Sequence, residues 1–157
     1  MQNALLVVAK RPLAGQTKTR LTPPLTPAAA AALYECFLLD TLVQMRQVAE
    51  VLPVIAYLPA AAEGYFRQLA PDFALLPQEG PDLGSRLDNA LTHYLHAGYR
   101  HVAIMISDGP TLPVTCLTAA FTQLAGGADV VLGPCDDGGY YLIGLKRPAP
   151  RLLREVR

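Results

Sequence analysis

Apolar residues in this chain fall into short unbroken runs, separated by longer stretches in which they recur every three or four positions. NALLVVA (3–9), VLPVIAYL (51–58), HVAIMIS (101–107), DVVLGP (129–134) and YYLIGL (140–145) predict strands, and FALL (73–76) a shorter one. The first has no polar alternation, as expected of a parallel strand covered on both faces. Pro53 places the second near a sheet edge or at a strand start.

The intervening stretches predict helices. Thr26 followed by Pro27 supplies a hydroxyl N-cap with proline at the first helical position. Beyond it Leu38, Leu42, Met45 and Ala49 share one face, with Asp40, Gln44 and Gln47 on another. Residues 63–70 form a short helix. LGSRLDNALTHYLHAG predicts a helix with Leu87, Leu91, Tyr94 and Leu95 turned inward and Gly98 as a left-handed stop. VTCLTAAFTQLAGG is another, with a glycine end. Strand and helix alternate, so the expected architecture is a three-layer α/β/α fold with a mostly parallel sheet, one domain over residues 1–157.

Charge narrows the function classes. Lys plus Arg and Asp plus Glu both number 13, so no overall field recruits nucleic acid or an anionic membrane. No apolar run reaches the length of a membrane span, and no basic segment precedes the first strand as in a signal peptide. Cys36, Cys116 and Cys135 are odd in number and widely spaced, which argues against a disulfide framework or zinc knuckle. The expected location is the cytoplasm.

In open α/β sheets ligands bind beyond the carboxyl ends of the strands. Three polar loops fall there: KRPLAGQTKTR, SDGP and CDDGGYY. The first gathers Lys10, Arg11, Lys18 and Arg20 around Gly15. If the segment is extended, Lys18 and Arg20 point together at a polyanion, with phosphate the obvious anion. It has neither the P-loop nor the dinucleotide-binding glycine pattern; a solvated surface loop is the competing reading. Asp108, ending an apolar strand, suits a divalent metal bridging to phosphates, or a simple turn. Asp136 and Asp137 lie beside Gly138 and Gly139, where bare backbone can admit a ligand; a common Asp-Gly turn is the competing reading. His93 and His96, with His101, offer a metal set, but a solvated helix face is the favoured reading; Cys135 reads as a small buried thiol at a strand end in preference to a reactive one.

Four ordered motifs, VVAKRPLAGQTKTRL, QEGPDLGSRLDNAL, IMISDGPTLP and VVLGPCDDGGYYLIGL, resemble a bacterial family of glycosyltransferase-A-like proteins, domain of unknown function 2064. That family is similar to the 2-phospho-lactate guanylyltransferases and, more distantly, to the molybdenum-cofactor guanylyltransferases. The resemblance implies a nucleotide-diphospho-sugar transferase (GT-A-like) fold that binds a nucleoside triphosphate or nucleotide-sugar with Mg²⁺ or Mn²⁺. It places Ala9 and Lys10 near base and ribose, and Gly15, Lys18 and Arg20 on the phosphates. Leu83, Gly84 and Arg86 would line the nucleoside pocket, and Asp108 would hold the metal. Asp137, Gly138, Gly139 and Tyr140 would face a small-molecule acceptor.

The implied reaction is transfer of a nucleoside monophosphate to a phosphorylated or hydroxylated acceptor, with Lys18 and Asp108 as its catalytic groups. Nucleotide-sugar-dependent glycosyl transfer, or nucleotide binding without catalysis, are the alternatives. Related proteins carry a further helix and strand after the Gly-Gly-Tyr strand, which RLLREVR cannot supply. The edge so exposed favours a homodimer.

Overall fold

The computed structural model describes residues 2–107, 109 and 111–155. The apolar runs become β1 (Asn3–Lys10), β2 (Val51–Leu58), β3 (Ala74–Pro77), β4 (His101–Met105), β5 (Val130–Pro134) and β6 (Tyr140–Leu145). They form one six-stranded sheet in the order β3-β2-β1-β4-β6-β5. Helices α1 (Pro27–Arg46), α2 (Glu63–Leu69), α3 (Leu83–His96), α4 (Val114–Ala125) and α5 (Pro150–Arg154) cover it.

Alternation along β1 decides the layers. Leu5, Val7 and Ala9 pack into a cluster with Leu38, Leu42 and Met45 of α1, Phe66 of α2 and Leu117 and Phe121 of α4. Ala4 and Leu6 face the other way, onto Leu87, Leu91 and Tyr94 of α3 and Leu153 of α5. Both faces of the strand are buried, which explains its unbroken apolar run. The expected three-layer fold is present.

β1, β2, β3 and β4 are parallel neighbours, whereas β6 pairs antiparallel with both β4 and β5. The short link 135–139 allows only a hairpin, since a parallel return needs a crossover of a dozen or more residues. Pro53 lies in a strand with neighbours on both sides, but β3 reaches only Val54–Tyr57, so the proline sits on a locally uncovered stretch.

Two expectations need amending. α1 ends at Arg46, leaving Ala49 outside the helix. α1 also has the length and mean hydropathy (1.3) of a membrane span. Its apolar residues run round the helix: Leu39 and Val43 are exposed, while Tyr34, Leu38, Leu42 and Met45 are buried against the sheet. Amphipathic spacing therefore understated how apolar this helix is.

Candidate functional site

A cavity of about 450 Å³ opens beyond the carboxyl ends of β1, β2 and β4. β1 is the turning point of the topology: the chain builds β2 and β3 on one side of it, then crosses to place β4 on the other. Loops leaving β1 and β4 diverge there, which opens the crevice.

From β1 come Val8, Ala9 and Lys10, and from the following loop Gln16, Thr17 and Lys18. That loop is curled, not extended. Thr17, 7% exposed, accepts the Leu13 N–H on Oγ1 at 2.9 Å, while its own N–H and that of Gln16 donate to the Leu13 carbonyl. The curl needs positive φ at Gly15 (82°) and, unusually for a side-chain-bearing residue, at Lys18 (50°). A 3-10 turn at Thr19–Leu21 follows, and it carries Arg20 on an exposed surface.

Tyr34 reaches the cavity from α1, where its hydroxyl accepts the Lys10 N–H at 3.2 Å and lies 2.8 Å from Ser107 Oγ. Lys18 Nζ is 5.9 Å from the centroid of the same ring. Ile106 and Ser107 continue from β4, and Leu58 closes from β2. Gln78 follows β3 and is fixed twice: its N–H donates to the Tyr57 carbonyl and its Nε2 to the Ala56 carbonyl, at 2.9 and 2.8 Å.

Leu83 and Arg86 enter from the first turns of α3. Asp82 caps that helix, accepting the Ser85 N–H at 2.8 Å; this hydrogen bond is the main reason its carboxyl titrates below the usual aspartate range. Arg86 Nε donates to the Gly80 carbonyl at 3.0 Å, which braces the guanidinium across the preceding turn. The charged residues of the described lining, Lys10, Lys18 and Arg86, are all cations. Such a surface is suited to a polyanion.

The fold thus gathers Ala9, Lys10, Lys18, Leu83 and Arg86 around one cavity. Of the four cations in the first loop, Lys10 and Lys18 line it. Arg11 turns to the ring of Tyr65, 5.4 Å from its centroid, and Arg20, exposed in the 3-10 turn after Lys18, is not part of the lining. Gly15 shapes the loop without lining the space. Gly84 stands against α5, where an added Cβ would fall 2.2 Å from the Leu153 carbonyl oxygen. Asp137, Gly138, Gly139 and Tyr140 belong to the hairpin at the end of β5, on the same rim but outside the cavity lining. Asp137 Oδ1 accepts the Gly139 N–H at 2.9 Å, and Gly138 has φ 89°.

Asp108 lies outside the described residues. Among the described residues no group of three or more His, Cys, Asp or Glu is placed to hold a metal. His93 packs edge-on against Tyr94, and His101 Nδ1 lies 2.8 Å from Asn3 Oδ1. Tyr34, Thr17 and Gln78 are among the lining residues that sequence reasoning did not single out, and Ser107 figured there only as the start of the SDGP loop. Only the tertiary fold brings them together, since Tyr34 and Ser107 are separated by 73 positions.

Residues 41–157 match the model of a family described as uncharacterized proteins conserved in bacteria, DUF2064. No curated protein matches the chain. A protein from Desulfovibrio desulfuricans G20, provisionally named a nucleotide-diphospho-sugar transferase, is similar over 99% of this chain and 69% of its own, with 32% identity and a TM-score of 0.92. CMP:2-keto-3-deoxy-manno-octonic acid synthetase, in complex with CTP, is similar over 100% of this chain and 79% of its own, at 10% identity and TM-score 0.58. Rv0371c from Mycobacterium tuberculosis H37Rv, in complex with manganese, is similar over 99% and 76%, at 18% identity and TM-score 0.56. These last two likenesses are of fold.

Proposed function

This chain belongs to the DUF2064 family and has the nucleotide-diphospho-sugar transferase (GT-A-like) fold, and we propose that it is a transferase that binds a nucleoside triphosphate in the cavity beyond β1 and β4. One observation carries the reading: Lys10, Lys18 and Arg86, from two separate elements and a loop, converge on one space at the topological switch point. Triphosphate is the anion whose charge and length suit three cations spread along a cleft. The CTP bound by a neighbour of the same fold supports nucleotide as the ligand class.

The reaction we assign is nucleotidyl transfer to a small phosphorylated or hydroxylated acceptor. An acceptor oxygen attacks the α-phosphorus in line, the bond to the bridging oxygen of the β-phosphate breaks, and diphosphate leaves. The role we assign to Lys18 is to stabilise charge on that leaving group with its ammonium, a reading supported by its place in the cavity lining. For the acceptor we assign the hairpin at 135–139 with Asp137, Gly138, Gly139 and Tyr140, a reading supported by its position on the same rim of the sheet.

The described lining does not fit a divalent cation, because its charged members are themselves cations and it supplies no carboxylate. Asp108, the ligand implied by the family resemblance, follows Ser107 directly in sequence. Glycosyl transfer from a nucleotide-sugar is the second reading, favoured by the name given to the Desulfovibrio relative. In either case we place the protein in the cytoplasm, where the thiols of Cys36, Cys116 and Cys135 would stay reduced.

A thermal-shift screen tests the reading, using the four ribonucleoside triphosphates and common nucleotide-sugars with and without Mg²⁺. A native-state ligand at about 100 times its Kd adds roughly 2.7 kcal/mol, enough to see in Tm. A shift with a triphosphate supports nucleotidyl transfer, and a shift confined to a nucleotide-sugar supports the second reading. No shift with any of them removes both.

A further inference from the structure

Tyr34 stands on α1, yet its hydroxyl lies at the junction of two strand ends. The Lys10 N–H donates to it at 3.2 Å from the end of β1, and Ser107 Oγ sits 2.8 Å away beyond β4. Tyr34 and Ser107 are each 6% exposed, and both line the cavity. The ring of the same tyrosine lies 5.9 Å from Lys18 Nζ, within range of a cation–π contact.

Either hydroxyl can be the donor across this contact. A phenol has one proton to donate, and its oxygen already accepts from Lys10. Donating that proton to Ser107 Oγ satisfies the serine as acceptor and frees the serine's own proton for a partner in the cavity. On the reading that the cavity takes a nucleotide's phosphates, on which this inference rests, we infer that Tyr34 is a positioning residue for phosphate recognition. Its hydroxyl orients Ser107 as a donor to a phosphate oxygen, and its ring face holds the Lys18 ammonium at the cavity wall. One side chain therefore couples the β1 end, the β4 end and the basic loop.

The test uses calorimetric titration of the full chain with inorganic tripolyphosphate and with each ribonucleoside triphosphate. Tyr34→Phe keeps the ring and removes the hydroxyl, and it should weaken tripolyphosphate binding about tenfold, the scale of one well-placed hydrogen bond. Ser107→Ala should do the same, and the double variant should bind no more weakly than Ser107→Ala alone, because one link is being cut twice. In NMR spectra, the Lys18 ε-methylene signal should be shifted upfield by the ring in the wild type and in Tyr34→Phe, but not in Tyr34→Leu. A merely structural tyrosine would not produce that pattern.

Wild-type binding with either single variant unchanged overturns the inference alone, as do independent, multiplying losses in the double variant. Ser107→Ala reads the link from its other end, so the outcome does not depend on Tyr34→Phe folding. An unshifted Lys18 signal in the wild type overturns the ring-face contact. If the wild type binds neither tripolyphosphate nor any triphosphate, the nucleotide reading falls and takes this inference with it.

Discussion

Arg154 Nε donates to the carboxylate of Asp88 at 2.6 Å, and its terminal nitrogen to Asn89 Oδ1 at the same distance. Asp88 is buried within α3, whereas the arginine side chain is 40% exposed. Removing the cation leaves a buried carboxylate with only the Thr92 hydroxyl, 3.4 Å away, as a side-chain donor from its own helix. Arg154→Ala should therefore cost about 1–2 kcal/mol, less than breaking a fully buried pair because water reaches the guanidinium. Urea unfolding at neutral pH measures it, and a midpoint equal to wild type would show that the pair adds nothing.

Gly84 provides a sharper test of the same docking. An alanine in an undisturbed helix position stabilises by up to about 1 kcal/mol over glycine. Here the new Cβ would meet the Leu153 carbonyl oxygen at 2.2 Å, so α5 would have to shift. Gly84→Ala should destabilise by about 1–3 kcal/mol, as other overpacked contacts do. The sign of the change in melting temperature decides whether α5 is docked in solution.

Acid should lower the stability of the protein in two steps. Burial, then the charges of Arg100 and Lys146, hold His101 below the usual histidine range, so its neutral form is favoured in the folded state. Stability should be full above about pH 6.5 and decline as pH falls toward the folded value. Asp72 is held below the usual aspartate range chiefly by its two hydrogen bonds from Arg46, and Asp129 by those from Lys146 and Arg147. Their contribution is present above about pH 4 and is lost below it, as pH falls through the folded values. Tm measured from pH 8 to 3 should show both declines, with Asp72→Asn shrinking the second. A flat profile to pH 4 would contradict the first.

Lys18 combines charge with left-handed backbone, at φ 50° and ψ 44°. Asparagine tolerates that conformation and β-branched residues do not. Lys18→Asn should keep stability within about 1 kcal/mol of wild type while weakening tripolyphosphate binding about 10- to 100-fold, the range for hydrogen bonds to charged groups. Lys18→Ile should lose both binding and about 1–2 kcal/mol of stability. Equal stability of the two variants would mean the loop is not held in this form.

The strands buried on both faces were legible because they leave unbroken apolar runs, β1 most plainly. The direction of β6 was not, since YYLIGL reads the same either way; the shortness of 135–139 was the usable signal. In the cavity, Lys10 and Lys18 were marked by a local concentration of charge. The left-handed backbone at Lys18, just before the turn that carries Arg20, was announced by no glycine at that position, and nothing local marked Arg11 as a partner of Tyr65. Tyr34 was hidden for another reason: within α1 it looks like any core aromatic, and its polar role exists only once Ser107 arrives. Gly84 shows the converse, a motif glycine whose geometry is explained by a backbone 69 positions away.

The strand order also sets a timetable. As the chain is synthesised, β1, β2 and β3 with α1 and α2 can pair as a unit, but one edge of β1 then has no partner until residues 101–105 arrive. Only at that step do Ser107 and Tyr34 meet, so the cavity cannot exist in any nascent chain shorter than this. A ligand for the cavity would be blind to the early intermediate and would favour only chains in which β4 has docked. Ligand added during synthesis should therefore raise the yield of folded protein without protecting fragments that end before β4.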